Sequence, residues 1–154
     1  MNRRLALTAL AATLIPGLRP SHAAERFEVT RSDADWRAML TPLQFKVMRQ
    51  EGTERAGTSD LTDNKAEGTY LCRGCDLPLY SSAQKYDSGT GWPSFWAALD
   101  GAVETKRDLK LLIPRTECHC RRCGSHLGHI FGDGPKPTGK RHCINGVSLK
   151  FAAA

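Results

Sequence analysis

The 154-residue chain offers no run of eighteen apolar residues, which excludes a lasting membrane-spanning helix. It has no internal repeat and no low-complexity tract. With 40% hydrophobic residues, what is left suits one globular domain. Strong net charge is missing too, once the N-terminus is set apart. Residues 1–23 read as a signal peptide: "MNRR" is a charged start, "LALTALAATLIPGL" an apolar run of middling length, and "SHAA" a small-residue site with the cut after Ala23. This leader holds Arg3, Arg4 and Arg19 and no acid, so the formal net charge of +6 falls to +3 for residues 24–154. A nucleic-acid partner argued from charge loses most of its support, and none is expected.

Export and cysteine usage pull against each other. An oxidising compartment favours disulfides, whereas paired C-x-x-C motifs are best kept reduced and metal-bound. The twin arginines Arg3–Arg4, with Leu7 and Arg19, point to a route that exports proteins already folded and metal-loaded, although Asn2 and Ala6 fit its pattern poorly. The twin-arginine and ordinary secretory routes therefore both stay open. Either delivers the domain to an exported, periplasmic location.

The first structural signals after the leader are helical. "SDADWRAML", residues 32–40, has Ser32 as N-cap, with Asp33 and Asp35 at the positive end of the helix dipole. In "TPLQFKVMRQEG", Thr41 as N-cap, Pro42 at N1 and Gln44 at N3 form a capping box. Leu43, Phe45, Val47 and Met48 supply the buried stripe, and Gly52 stops the helix. Residues 53–69 read as a polar surface connection. From Tyr70 onward short strands and tight turns take over, with strands expected at "TYLC", "LPLYSS", "LKLLIP", "TECHC" and, as one last strand, "CINGVSLKF". Helices first and antiparallel strands after make an α+β domain that is mainly β.

Cys72-x-x-Cys75 and Cys120-x-x-Cys123 supply four thiolates in two knuckles, the donor set of a closed, structural zinc site. Two disulfides are the alternative. The remaining chemistry gathers near the C-terminus, where four of the five histidines and four of the six cysteines lie between Cys118 and Cys143. Residues two apart on a strand share a face, so Arg141, Cys143 and Asn145 point one way and His142 the other. A guanidinium beside a thiol favours the nucleophilic thiolate. His126 and His129 supply a proton donor if the fold brings them to Cys143.

Four blocks in order, "CRGCDLPLYSS", "DSGTGWPSFW", "CHCRRCGSHLGHIFGDGP" and "RHCINGVSLKF", resemble methionine-R-sulfoxide reductase B, and the likeness runs from about Asp33 to Phe151. The resemblance implies two antiparallel sheets with short N-terminal helices packed on them, and one structural zinc away from the active site. It implies an enzyme that reduces the R epimer of methionine sulfoxide in oxidised proteins and peptides; a monomer is expected. Cys143 would attack the sulfoxide sulfur, release methionine and become a sulfenic acid. His129 would protonate the sulfoxide oxygen, with His126 shaping the same pocket. Trp92 would pack against the substrate methyl group, and Asn145, Arg141 and Asp133 would fix geometry and charge around the thiolate.

One departure from the pattern matters. Many family members carry G-C-G-W-P-S-F, whose cysteine resolves the sulfenic acid; here that position is Thr90. Cys118 is either a relocated resolving cysteine or a buried residue. A strand at "TECHC" would put it on one face with Cys120, near the metal, which favours the buried reading. Recycling would then fall to an external thioredoxin- or glutaredoxin-like thiol. Two rival readings are a zinc-ribbon module for nucleic acid and a disulfide-stapled exported domain. The first leaves Cys143, "GWPSFW" and the leader without a purpose, and the second would join the six cysteines in three disulfides without zinc.

Overall fold

The computed structural model describes residues 27–110 and 113–154. The expected leader, residues 1–23, lies outside them. Among the described residues two short helices come first, α1 (Asp33–Met39) and α2 (Pro42–Gln50). Each opens on a capping box that satisfies helix-end N–H groups. Ser32 Oγ accepts from Asp35 N at 3.2 Å, and Thr41 Oγ1 accepts from Gln44 N at 3.3 Å while Gln44 Oε1 accepts from Thr41 N at 3.0 Å. Helix α2 ends one residue before the expected glycine, because Glu51 takes the left-handed conformation with φ 53°. Phe45, Val47 and Met48 are buried as expected, but Leu43 is 45% exposed and belongs to the solvent face.

Among the described residues nine strands follow, in two antiparallel sheets. The smaller has the order β2 (Pro78–Ser81), β1 (Gly68–Cys72), β9 (Leu149–Ala153). The larger has the order β3 (Lys85–Tyr86), β4 (Ser94–Phe95), β8 (Arg141–Ile144), β7 (His126–Phe131), β6 (Arg115–Cys120), β5 (Val103–Asp108). Trp36, Phe45 and Met48 of the helices join Tyr70, Leu79, Tyr80, Phe95, Leu127, Ile144 and Leu149 in one core. Burying each such side chain contributes about 1.5–3 kcal/mol before conformational entropy is set against it.

Two strand expectations need correction. Of "LKLLIP", Leu111 and Leu112 lie outside the described residues and the other four belong to no strand: the strand before it is the charged "VETKRD" of β5, paired with β6 from Val103↔Cys120 to Asp108↔Arg115. Leu109 and Ile113, 64% and 75% exposed, belong to the connection between those strands. Backbone pairing with β6, not side-chain hydrophobicity, places β5. "CINGVSLKF" is not one strand either. The chain leaves the large sheet after Ile144, makes a single 3₁₀ turn at Gly146–Ser148, and enters the small sheet as β9. That switch buries Ser148, whose hydroxyl donates to His126 O at 3.1 Å.

The pairing of the central strands sorts side chains by face. Directly opposed residues share a face, so Ser94, Cys143, His129 and Glu117 line up across β4, β8, β7 and β6. Phe95, His142, Ile130 and Thr116 line up on the other face.

Candidate active site

Cys143 projects into a cavity of about 130 Å³ lined with Thr53, Trp92, Arg115, Gly128, His129, Phe131 and Asn145. Gly128 is required there, because a Cβ would lie 2.0 Å from the Cys143 carbonyl oxygen. Trp92 forms a wall, held by its indole N–H, which donates to Glu54 O at 3.2 Å. Asn145 sits where β8 ends, its Nδ2 donating to Leu127 O at 2.9 Å and its Oδ1 accepting from Glu54 N at 3.0 Å. It is thus a brace between three segments as well as part of the wall.

The histidines are oriented by carboxylates. His129 Nε2 lies 2.8 Å from Asp108 Oδ2, and Arg115 Nη2 donates to the same oxygen at 2.6 Å. The Lys110 N–H, His129 and Arg115 together hold Asp108 well below the usual carboxylate range, so it is ionised and only accepts. The proton of His129 therefore sits on Nε2, facing Asp108. Burial pulls His129 below the ordinary imidazole value, opposed by Asp108, so the ring is neutral at neutral pH. His126 stands beside it, ring centroids 5.5 Å apart. Its Nδ1 is 2.6 Å from Glu117 Oε1, and the other Glu117 oxygen is 2.8 Å from His119 Nδ1. Burial alone would raise Glu117, but these two imidazole donors outweigh it and hold the acid at about 2. His126 Nε2 is buried without a hydrogen-bond partner, and this ring does not line the cavity.

Around the sulfur, charge and burial oppose each other. Arg141 shares the strand of Cys143 and makes a two-pronged pair with Asp133, both bonds 2.9 Å, while its guanidinium stacks over Phe131. The expected thiolate is not the resting state: burial pushes the Cys143 thiol above its ordinary value, and Thr90 and Arg141 oppose this only in part. His142 points the other way, into the core, with Nδ1 3.3 Å from Tyr80 Oη.

The other cysteines are elsewhere. The four Sγ atoms of Cys72, Cys75, Cys120 and Cys123 all lie within 4.8 Å of one another, with Cys72–Cys123 at 3.6 Å and Cys75–Cys120 at 3.5 Å. Tetrahedral zinc with bonds of about 2.3 Å separates its sulfurs by about 3.8 Å, so this cluster fits such an ion. A disulfide would bring a pair to about 2.05 Å, and all six cysteines are free. Crowding sets the thiols against one another: hydrogen bonding with Cys120 pushes Cys72 up and holds Cys123 down, a conflict that a divalent cation removes. Cys118 is fully buried, 3.6 Å from Tyr80 Oη, on the face of the sheet opposite Cys143. Burial raises it to about 12.

Sequence reasoning missed Glu54, Asp108, Arg115 and Glu117. Glu54, in a stretch read as surface connection, is 2% exposed and accepts from Gly146 N at 2.5 Å and Val147 N at 3.1 Å. Only "TECH", with an acid two residues from a histidine on one strand face, held a usable signal.

The SelR domain matches residues 40–153. A Leptospira interrogans protein named peptide methionine sulfoxide reductase MsrB is 52% identical over 126 residues, 81% of this chain and 96% of its own length. Proteins of the same name from Thiobacillus denitrificans and Methanosarcina barkeri are 53% and 51% identical, covering 79% and 80% of this chain and 92% and 87% of their own. The chain therefore belongs to the SelR family, that of the MsrB-type peptide methionine sulfoxide reductases.

Proposed function

We propose that the chain reduces the R epimer of methionine sulfoxide in oxidised proteins and peptides, with Cys143 as nucleophile. One observation carries this reading: Cys143 and His129 are opposed across β7 and β8 at the wall of a cavity that Trp92 closes. A sulfoxide oxygen leaves poorly until protonated, so nucleophile and acid must work together. At rest the thiol holds its proton and His129 is neutral. His129 first takes the Cys143 proton, with Asp108 stabilising the imidazolium, and then hands that proton to the sulfoxide oxygen. The sulfur attacks the sulfoxide sulfur, the protonated oxygen then passes from the methionine sulfur to Cys143 as the new S–S bond breaks, and methionine leaves with Cys143 as a sulfenic acid. Trp92 and Phe131 give the substrate methyl an apolar wall. The sulfenic acid is the reversible rung of cysteine oxidation. Two equivalents of an external thiol, delivered by a thioredoxin- or glutaredoxin-like protein, return Cys143 to the thiol and release water and a disulfide.

The cysteine cluster would hold Zn²⁺, which supplies no step and ties the turn after β1 to that after β6. The charged start, apolar run and small-residue cut site of residues 1–23 support export: these residues would be removed, and residues 24–154 would act in the periplasm, as a monomer. Among the described residues no helix is long and apolar enough to cross a membrane. The test is turnover of separated R and S epimers of a peptidyl methionine sulfoxide with a thiol reductant. Reduction of R alone is expected, and equal reduction of both would defeat the reading. The periplasmic fraction of an expressing bacterium should contain a chain starting at Ala24, and an uncut cytoplasmic chain would contradict export.

A further inference from the structure

The loop between β3 and β4 carries an unexplained run of hydroxyls that ends on the reactive sulfur. Thr90 Oγ1 is 3.9 Å from Cys143 Sγ, Ser88 Oγ is 2.8 Å from Thr90 Oγ1 and 2.7 Å from Ser94 Oγ, and Ser94 Oγ donates to Trp92 O at 3.2 Å. Ser94 is buried and directly opposed to Cys143. Thr90 is flanked by Gly89 at φ 68° and Gly91 at φ 84°, a left-handed region that glycine adopts without strain. The Gly91 carbonyl accepts from Gly57 N at 2.7 Å, and a Cβ on Gly91 would press on Ala56 and Gly57. The loop is therefore tied on its Gly91 side to the segment at Ala56 and Gly57.

Each hydroxyl owns one proton, so the direction of the chain can be worked out. The Ser94 proton goes to Trp92 O, which makes Ser88 the donor to Ser94. The Ser88 proton is then committed, and Thr90 must be the donor to Ser88. Thr90 is left with lone pairs toward Cys143, and the thiol S–H is the donor to it. That arrangement suits the protonated sulfur. When the sulfur loses its proton, three rotations about Cβ–O bonds reverse the chain. Ser94 then donates to Ser88, Ser88 to Thr90 and Thr90 to the thiolate. The only bond given up is that from Ser94 to Trp92 O.

We propose that Thr90 is a positioning residue for Cys143, and that Ser88 and Ser94 make it a reversible hydroxyl chain that receives the thiol and donates to the thiolate. The proposal rests on the reading of Cys143 as nucleophile. It gives the position that cannot resolve a sulfenic acid a different task, before oxidation instead of after it. The other groups facing the sulfur are Arg141 with its partner Asp133, His129 and Arg115 across the cavity, and Tyr86 of β3. None of them contacts Ser88 or Ser94 through a hydrogen bond, so the chain is separable from them by mutation.

The test measures the pH dependence of Cys143 alkylation by iodoacetamide in the zinc-loaded full chain, located by peptide mass, alongside single-turnover reduction. Thr90→Val keeps the shape and removes the hydroxyl, whereas Thr90→Ser keeps the hydroxyl and removes the methyl. The ionisation midpoint should rise by about one pH unit in Thr90→Val, with turnover slowed about tenfold, as for one lost charge-assisted hydrogen bond. Thr90→Ser should match the parent, and Ser88→Ala should raise the midpoint by a smaller amount through lost polarisation of Thr90. A normal midpoint in Thr90→Val, or damage in Thr90→Ser that matches it, would overturn the role of Thr90. An unchanged Ser88→Ala would overturn the chain. If Cys143→Ser is active, the nucleophile reading fails instead, and the two failures are distinct.

Discussion

The cysteine cluster and Cys143 contain the same functional group and could hardly be more different. In the cluster four sulfurs crowd together at 3.5–3.6 Å in pairs, largely out of solvent, with no room for another molecule. At Cys143 a single sulfur meets a cavity, an imidazole, a hydroxyl and a guanidinium-bearing strand. Burial disfavours charge at both. The cluster answers with shared protons and a set of donors that a cation can satisfy, and Cys143 has unlike partners that, on the proposed function, take its proton when substrate arrives. The contrast teaches that reactivity here comes from unlike neighbours, whereas like neighbours make a brace.

The sharpest way to break that contrast is to delete one sulfur from each region. Cys143→Ser should lower turnover at least about a thousandfold while zinc content and folding stay at parental values. Cys120→Ser should do the reverse in order, losing zinc and cooperative unfolding first and activity as a consequence. Metal analysis and thermal melts of both variants check this. Loss of zinc in Cys143→Ser would merge the two regions.

Next in size is the carboxylate behind the imidazole. Asp108→Asn removes the group that raises His129 and stabilises its protonated form. Turnover should fall about 10- to 100-fold, with kcat falling more than KM rises, and the acidic limb of the kcat profile should move to lower pH. An unchanged profile would show that Asp108 does not act through His129.

A smaller effect sharpens the difference between the two faces of β8. Burial lowers His142 from 6.5 to about 4 in the folded chain. The unfolded chain therefore binds more protons between those values, so stability is lost as pH falls from 6.5 through 4. Glu117, held at about 2 against an ordinary 4.5, continues the loss in the same direction at lower pH. His142→Phe should flatten the upper part of this fall, by at most about 3 kcal/mol, when denaturant midpoints are compared across pH. A parental slope in that variant would assign the acid sensitivity elsewhere. Smallest of all should be Cys118→Ser, which should leave thioredoxin-driven recycling within about twofold of the parent, apart from a modest core penalty. If recycling stops while reductant-driven turnover continues, Cys118 is a resolving thiol after all.

Much of this was readable from the residues, for reasons that separate the cases. Capping boxes and C-x-x-C knuckles are local: their partners sit within three residues, so Thr41–Gln44 and the paired cysteines declare themselves. The face shared by Arg141 and Cys143 follows from strand periodicity. The failures share the opposite property. Glu54 is buried by Gly146 and Val147, more than ninety residues away, and Asp108 meets His129 only because β5, β6 and β7 are neighbours. "LKLLIP" misled because pairing decided which residues entered the strand. Asn145 and the turn after it hid the exchange of sheets behind an apparently continuous alternation. The thiolate expectation weighed Arg141 without the burial that outweighs it.

The central claim is that one sulfur alone, on the cavity face, takes the oxygen from substrate. Mixing the reduced, zinc-loaded chain with one equivalent of R-methionine sulfoxide peptide, without reductant and with dimedone present, tests it by peptide mass mapping. One methionine per chain and a single dimedone adduct on Cys143 are predicted. Methionine release with the adduct on Cys118 or on a cluster cysteine would contradict the account.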